Sequence, residues 1–340
     1  MSFRFVITAM ILSCLMFPSL SEAGKTRIKY ALLAPEGTSW ANSTKVAFNK
    51  IEEQTGGALD MKLYAGGKQG DENEVLQKIR INHIHGAAFT SVALTQIVPE
   101  FQILGLPGLI QNYEELDYVT EKTTKFFEDK FLEKGFVFLG WAEVGPIYVF
   151  TNVNAQYVEE FKGVKMWAMP GEPITPMILE KNGMKPITVP ITDVLLQLEA
   201  GALDGFANTP MGAIGFQWFR KAKYVGDQPI LYSTGGVLLT RQIWDSLTTE
   251  QQTIVKKSLW ELSVSQKSQM RKENEESFKT LQDYGIGVLH YAADSVKLAE
   301  EQNLWLRQKI VADGQFFTAD FLKEIEGYIQ EVRSRKKSEK

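Results

Sequence analysis

Apolar and polar positions alternate along Arg27–Leu33 and then run apolar, as in a strand buried first on one face and then on both. Pro35-Glu36-Gly37 turns the chain, and Ser39 is the predicted cap of a helix reaching Gln54, with Thr44, Ala47, Phe48 and Ile51 as its inward stripe. Gly56-Gly57 stops that helix, and Leu59–Tyr64 alternates as a second strand. The turn Gly66-Gly67-Lys68-Gln69-Gly70 leads into a helix from Asp71 to Arg80 that carries acid in its first turn. The glycines lack the Lys-Ser/Thr ending of a phosphate loop and read as a strand-to-helix turn. Gly86–Thr90 predicts a strand, Val92–Val98 a helix, Tyr113–Lys134 a helix, and Phe136–Trp141 and Tyr148–Asn152 two separate strands. Strand and helix alternate, which predicts an α/β fold with largely parallel sheets.

The unit repeats across Phe161–Pro210. Strands are predicted at Val164–Trp167, Lys185–Thr188 and Ala202–Phe206, with a helix at Pro173–Asn182. Ile191, Val194, Leu195 and Leu198 recur at helical spacing, with Thr192 as the expected cap and Gly201 as the stop. Pro229–Thr240 is a long apolar segment. Thr248 and Gln251 form a capping-box pattern that opens a helix of about 35 residues, ended by Gly285. Such a length predicts a spine crossing two domains. Strand Ile286–Tyr291 and two helices follow, and the basic end Arg333–Lys340 reads as a solvated, frayed tail.

The N-terminus changes the picture. Arg4 precedes the apolar run Phe5–Phe17, and Ser21-Glu22-Ala23 supplies small residues at the spacing of a signal-peptidase site. The expectation is a signal peptide over 1–23, cleaved between Ala23 and Gly24, and a periplasmic mature protein. The run is shorter than the ~20 residues of a spanning helix. Cys14 after Ile-Leu-Ser leaves a lipoprotein as the alternative. Cys14 is the only cysteine, so a cleaved chain has no disulfide, thiolate metal site or thiol nucleophile. With 37 basic and 41 acidic residues, a net charge of −4, there is no basic field for nucleic acid. His83, His85 and His290 lack the partners of a metal site, and no Gly-x-Ser-x-Gly occurs. No cofactor or metal is expected, and the chain reads as a non-enzyme.

Several segments together resemble one family. They are Glu52-Glu53-Gln54-Thr55-Gly56-Gly57, Lys62–Glu72, Leu104-Gly105-Leu106-Pro107, Phe150-Thr151-Asn152, Phe161–Met166, Gly201-Ala202-Leu203-Asp204-Gly205 and Ile243–Thr248. In order and spacing they are similar to the DctP-type solute-binding proteins of tripartite ATP-independent periplasmic (TRAP) transporters. The resemblance implies a two-lobed, type II periplasmic-binding-protein-like fold whose long helix spans both lobes. Lobe I would comprise 24–146 with about 235–275, lobe II 147–234 with about 276–333, and 334–340 a disordered basic tail. It also implies a monomer that closes on a small molecule and delivers it to integral-membrane permease subunits. A ligand-binding sensor working with a membrane receptor, or a secreted enzyme on the same scaffold, are the alternatives.

The departures from the family pattern concern the ligand. The resemblance implies an arginine gripping a ligand carboxylate where this chain has Trp167, and a second arginine where it has Tyr148; the family asparagine is kept as Asn208. Without guanidinium, a buried carboxylate goes uncompensated. The expectation is therefore an apolar or aromatic ligand, or one that is not a simple carboxylate. Trp167, Tyr148, Phe206, Ile191, Met169, Trp40 and Phe89 would line the cleft, and Asn208, Thr90 and Ser91 would orient the ligand's polar group.

Overall fold

The computed structural model describes residues 25–338; the expected signal segment and Cys14 lie outside the described residues. In chain order the elements are β1 (Thr26–Leu32), α1 (Ser39–Gln54), β2 (Leu59–Tyr64), α2 (Glu72–Arg80), β3 (Gly86–Thr90), α3 (Ser91–Ile97), α4 (Tyr113–Glu133) and β4 (Phe136–Thr151). There follow β5 (Lys165–Ala168), α5 (Ile174–Lys181), β6 (Lys185–Thr188), α6 (Val194–Glu199), β7 (Gly205–Asn208), α7 (Pro210–Gly215), β8 (Tyr224–Gly226) and β9 (Leu231–Thr240). The chain ends with α8 (Arg241–Asp245), α9 (Thr249–Asp283), β10 (Gly287–Leu289), α10 (Ala293–Asp313) and α11 (Ala319–Ser338).

Local signals explain most boundaries. The inward stripe of α1 is buried as its spacing requires, but its cap is Thr38, whose hydroxyl accepts from Ala41 N–H, and Ser39 is already helical. Asp71 and Glu74 form a reciprocal capping box on α2, and Thr248 and Gln251 form another that opens the 35-residue α9. Ile191 begins a single 3-10 turn, so α6 starts only at Val194 and Thr192 does not cap it.

The sheet is mixed rather than largely parallel. Its strands run in the order β2-β1-β3-β9-β4-β7-β5-β6, with β8 on β4 and β10 on β8. Parallel pairs occupy the two ends, while β3–β9, β9–β4 and β4–β7 are antiparallel. The cause is β4, expected as two strands and found as one of 16 residues. It passes from the first half of the sheet to the second beside β9, absorbing register shifts near Gly140 and Gly145. Gly145 has φ +107, open to glycine at low cost.

Four buried clusters fill the molecule. Two flank the first half of the sheet, around Phe101, Phe127 and Phe138 and around Trp40, Phe48 and Leu259. Two flank the second half, around Phe150, Trp167, Phe206 and Trp218 and around Phe161 and Met166. Leu306 and Ile310 of α10 and Ile325 and Ile329 of α11 join Phe127 and Phe131 in the first-half core, while Gln302 of α10 donates to Asn182 Oδ1 at 2.6 Å and Lys181 lies over the Trp305 ring at 4.1 Å, so α10 touches both halves. The basic end is not frayed through Ser338. Arg333 pairs at 2.9 Å with the carboxylate of Glu115, whose side chain is 3% exposed, and a buried carboxylate holds an available guanidinium firmly.

Candidate functional site

The two halves meet along the C-terminal ends of their parallel strands, where open α/β sheets place ligands. Asn73 Nδ2 donates to the Pro170 carbonyl at 3.1 Å, and Gln96 Nε2 donates to Asn73 Oδ1 at 2.7 Å. Ile174 of α5 is buried in the first-lobe core, in the cluster that also holds Leu94 and Phe101. Gly67 lies so near Thr192 that an added Cβ would sit 3.3 Å from its Cγ2. The cleft is thus lined by direct lobe-to-lobe contacts.

On the second-lobe side, strand register sorts the expected residues into rows. Met166 pairs with Gly205, which sets Trp167 level with Phe206, and Phe206 pairs with Phe150. This row is core. Phe206 is fully buried, stacked on Phe150 at 4.9 Å and edge-on to Trp218 at 5.2 Å, so it offers a ligand no surface. Trp167 is 8% exposed, lies edge-on to Trp218 at 5.1 Å, and donates its indole N–H to the Val189 carbonyl at 2.9 Å. The indole's single donor is therefore used within the lobe. Ile191 is buried in the same cluster, with Met169 packed on its edge.

The next row toward the first lobe pairs Asn208 with Tyr148. Asn208 Oδ1 accepts from Thr209 N–H at 2.8 Å. Tyr148 packs on Phe278 of α9 at 5.0 Å, and burial pushes its phenol up to about 12.

The first-lobe residues do not form one wall. Phe89 and Trp40 are buried in different cores on opposite faces of the sheet. Thr90 ends β3 and stands at the N-terminus of α3, but its hydroxyl does not cap that helix. It donates instead to Glu72 Oε2 at 2.6 Å, while Thr90 N–H donates to Glu72 Oε1 at 2.6 Å. Ser91 begins α3 beside it. Glu72 is 5% exposed, and burial pushes its carboxyl up to about 7 against these hydrogen bonds. It borders a cavity of about 10 Å³, shared with Leu33, Tyr64, Gln69 and Phe89, which is room for about one water.

Sequence reasoning passed over Glu72, Tyr113 and Tyr232. Glu72 was visible only as a first-turn acid. Tyr113 opens α4 and meets Tyr232 of β9 edge-on at 5.0 Å, a contact between positions far apart in the chain.

Arg271 of α9 is held bidentately by Asp117, bonds Glu143 at 3.1 Å, and lies 4.2 Å over the Tyr113 ring. Arg220 belongs to a separate groove of about 400 Å³ with Lys223 and Tyr284, and Arg241 pairs with Asp245 on the surface. Among the described residues, no group of three or more His, Cys, Asp or Glu is placed to hold a metal ion, and no helix is long and apolar enough to cross a membrane.

A two-lobed α/β molecule joined by crossing strands and a long helix, with facing strand ends, defines the class of solute-binding proteins. The chain belongs to the family described as bacterial extracellular solute-binding protein, family 7, whose model matches residues 30–312. It is 23% identical over 292 residues to the C4-dicarboxylate-binding periplasmic protein DctP of Rhodobacter capsulatus, covering 85% of each chain. It is 22% identical to the sialic acid-binding periplasmic protein SiaP of Vibrio cholerae, covering 84% of this chain and 88% of that one. Its fold matches the sugar acid binding protein DctPAm of Advenella mimigardefordensis, in complex with galactonate, with a TM-score of 0.84 at 15% identity, covering 91% of this chain and 99% of that one.

Proposed function

We propose that this protein is the periplasmic receptor of a TRAP system, capturing a small solute between its lobes and handing it to membrane permease subunits. Membership of the solute-binding family and the two-lobed fold support that role. The lobes divide at the crossing strands: 24–146 with about 235–275 on one side, joined by the ends of α10 and α11, and 147–234 with β10 on the other.

The ligand we propose is not a simple carboxylate. The three relatives are named for a dicarboxylate, sialic acid and a sugar acid, so this reading sets the chain apart from them. One observation carries it: Trp167 stands on β5 where the family resemblance implies an arginine, and its only donor is bonded to Val189. A carboxylate buried there would lose its hydration with no cation in return, a cost of several kcal/mol.

A thermal-shift panel tests the proposal, with succinate, sialic acid and galactonate set against uncharged aromatic and sterol-like compounds. A ligand at a hundred times its Kd adds about 2.7 kcal/mol. The expected outcome is stabilisation by uncharged compounds; tight binding of succinate or galactonate would overturn the ligand class.

A further inference from the structure

Antiparallel pairing sets Tyr148 opposite Asn208 and Tyr232 opposite Pro146. Residues directly opposite each other share a face, and so do residues two apart on one strand. Asn208, Tyr148 and Tyr232 therefore occupy one face at the place where the strands cross between lobes. Tyr113 adds its ring to Tyr232 from the first turn of α4. Tyr113 and Tyr232 pack on the first-lobe core and Tyr148 on the second-lobe core, so the patch bridges the lobes.

The donors of this patch are unspent. Tyr113 Oη is buried with no hydrogen-bond partner. Among the described residues, the hydroxyls of Tyr148 and Tyr232 and the Nδ2 of Asn208 have no protein partner either. A buried donor left unmet is costly and is worth explaining. The Arg271 guanidinium lies 4.2 Å from the centroid of the Tyr113 ring and packs on its face.

Resting on the reading that no carboxylate–guanidinium pair holds the ligand, we propose that Tyr113, Tyr148, Tyr232 and the Asn208 amide are its polar grip. The ligand they fit is a small uncharged molecule presenting carbonyl or hydroxyl oxygens as acceptors. Burial raises all three phenols above their ordinary value, which keeps them as neutral O–H donors at physiological pH. Neutral donors suit a neutral acceptor, because neither side gives up a hydrated charge. Phe278 beside Tyr148, and Met169 at the edge of that core, give the ligand's carbon frame an apolar border.

Calorimetry with matched probes, 4-hydroxybenzamide against 4-hydroxybenzoate and galactonamide against galactonate, tests this on the wild type, Tyr113→Phe and Tyr232→Phe. The amides are expected to bind about tenfold tighter than the acids, and each phenylalanine variant is expected to lose about tenfold in Kd. Acids that bind more tightly yet weaken in the variants would overturn the ligand class and leave the donor assignment standing. Amide preference unaffected by either variant would overturn the donor assignment alone. The ligand-free protein supplies a second measurement that needs no probe: Tyr113→Phe should hold or raise the unfolding midpoint, because it removes an unmet donor. A lowered midpoint would show that the hydroxyl serves the fold, and would overturn the proposal.

Discussion

Glu72 is placed where a carboxylate is least comfortable and most useful. It lies in the first turn of α2 and takes both the N–H and the hydroxyl of Thr90, holding the end of β3 at the cleft. Burial raises its carboxyl from 4.5 to about 7. Between those values the folded chain keeps a proton that the unfolded chain has released, so stability falls as pH rises through that window. Comparing wild type with Glu72→Gln by urea unfolding at pH 5 and pH 8 should show a wild-type loss larger by about 2–3 kcal/mol. Equal losses would mean Glu72 titrates normally. Trp167 is the second residue with a sharp expectation. Trp167→Ala removes the edge contact with Trp218 and the bond to Val189, and should destabilise by about 3–5 kcal/mol. A loss under about 1 kcal/mol would place the indole outside the core.

Among the elements, α11 shows how a long-range partner overrides a local signal. Its basic end reads as solvated because the partner of Arg333 lies far away in the sequence. The counter-charge is Glu115, brought in by α4, and Arg333 also reaches the Leu109 carbonyl. Arg333→Ala strands a nearly fully buried carboxylate and should cost about 3 kcal/mol, whereas the double variant Arg333→Ala/Glu115→Gln should recover much of it. A thermal midpoint unchanged in the single variant would count against the pairing. The two halves of β4 misled for a related reason. The gap between the two predicted strands is in fact strand, and the register shifts near Gly140 and Gly145 keep it beside β9 across both lobes.

For the molecule as a whole, the facing lobes are the main mechanical feature. Gly67 and Thr192 come from opposite sides and lie in contact range. Cysteines at both positions, Gly67→Cys with Thr192→Cys, should cross-link without reductant, since the only native cysteine is Cys14. The oxidised protein should show an unchanging radius of gyration by small-angle scattering with and without a bound probe. The reduced form should contract on binding. Failure to cross-link would mean the lobes do not rest in this contact.

What the sequence by itself determined is what depends on neighbours in the chain. The helix and strand periods, the capping box at Thr248, the full length of α9 and the order of motifs that mark the family all rest on spacings of a few residues. The tertiary structure decided which side chains have spare donors. Phe206 and Trp167 turned inward because Phe150, Trp218 and Val189, all distant in sequence, complete their surroundings. Tyr113 and Tyr232 became neighbours only because β9 returns across the sheet to the start of α4. Burial and hydrogen-bond satisfaction are properties of the assembled chain, so no local pattern could have shown which polar groups it leaves unmet.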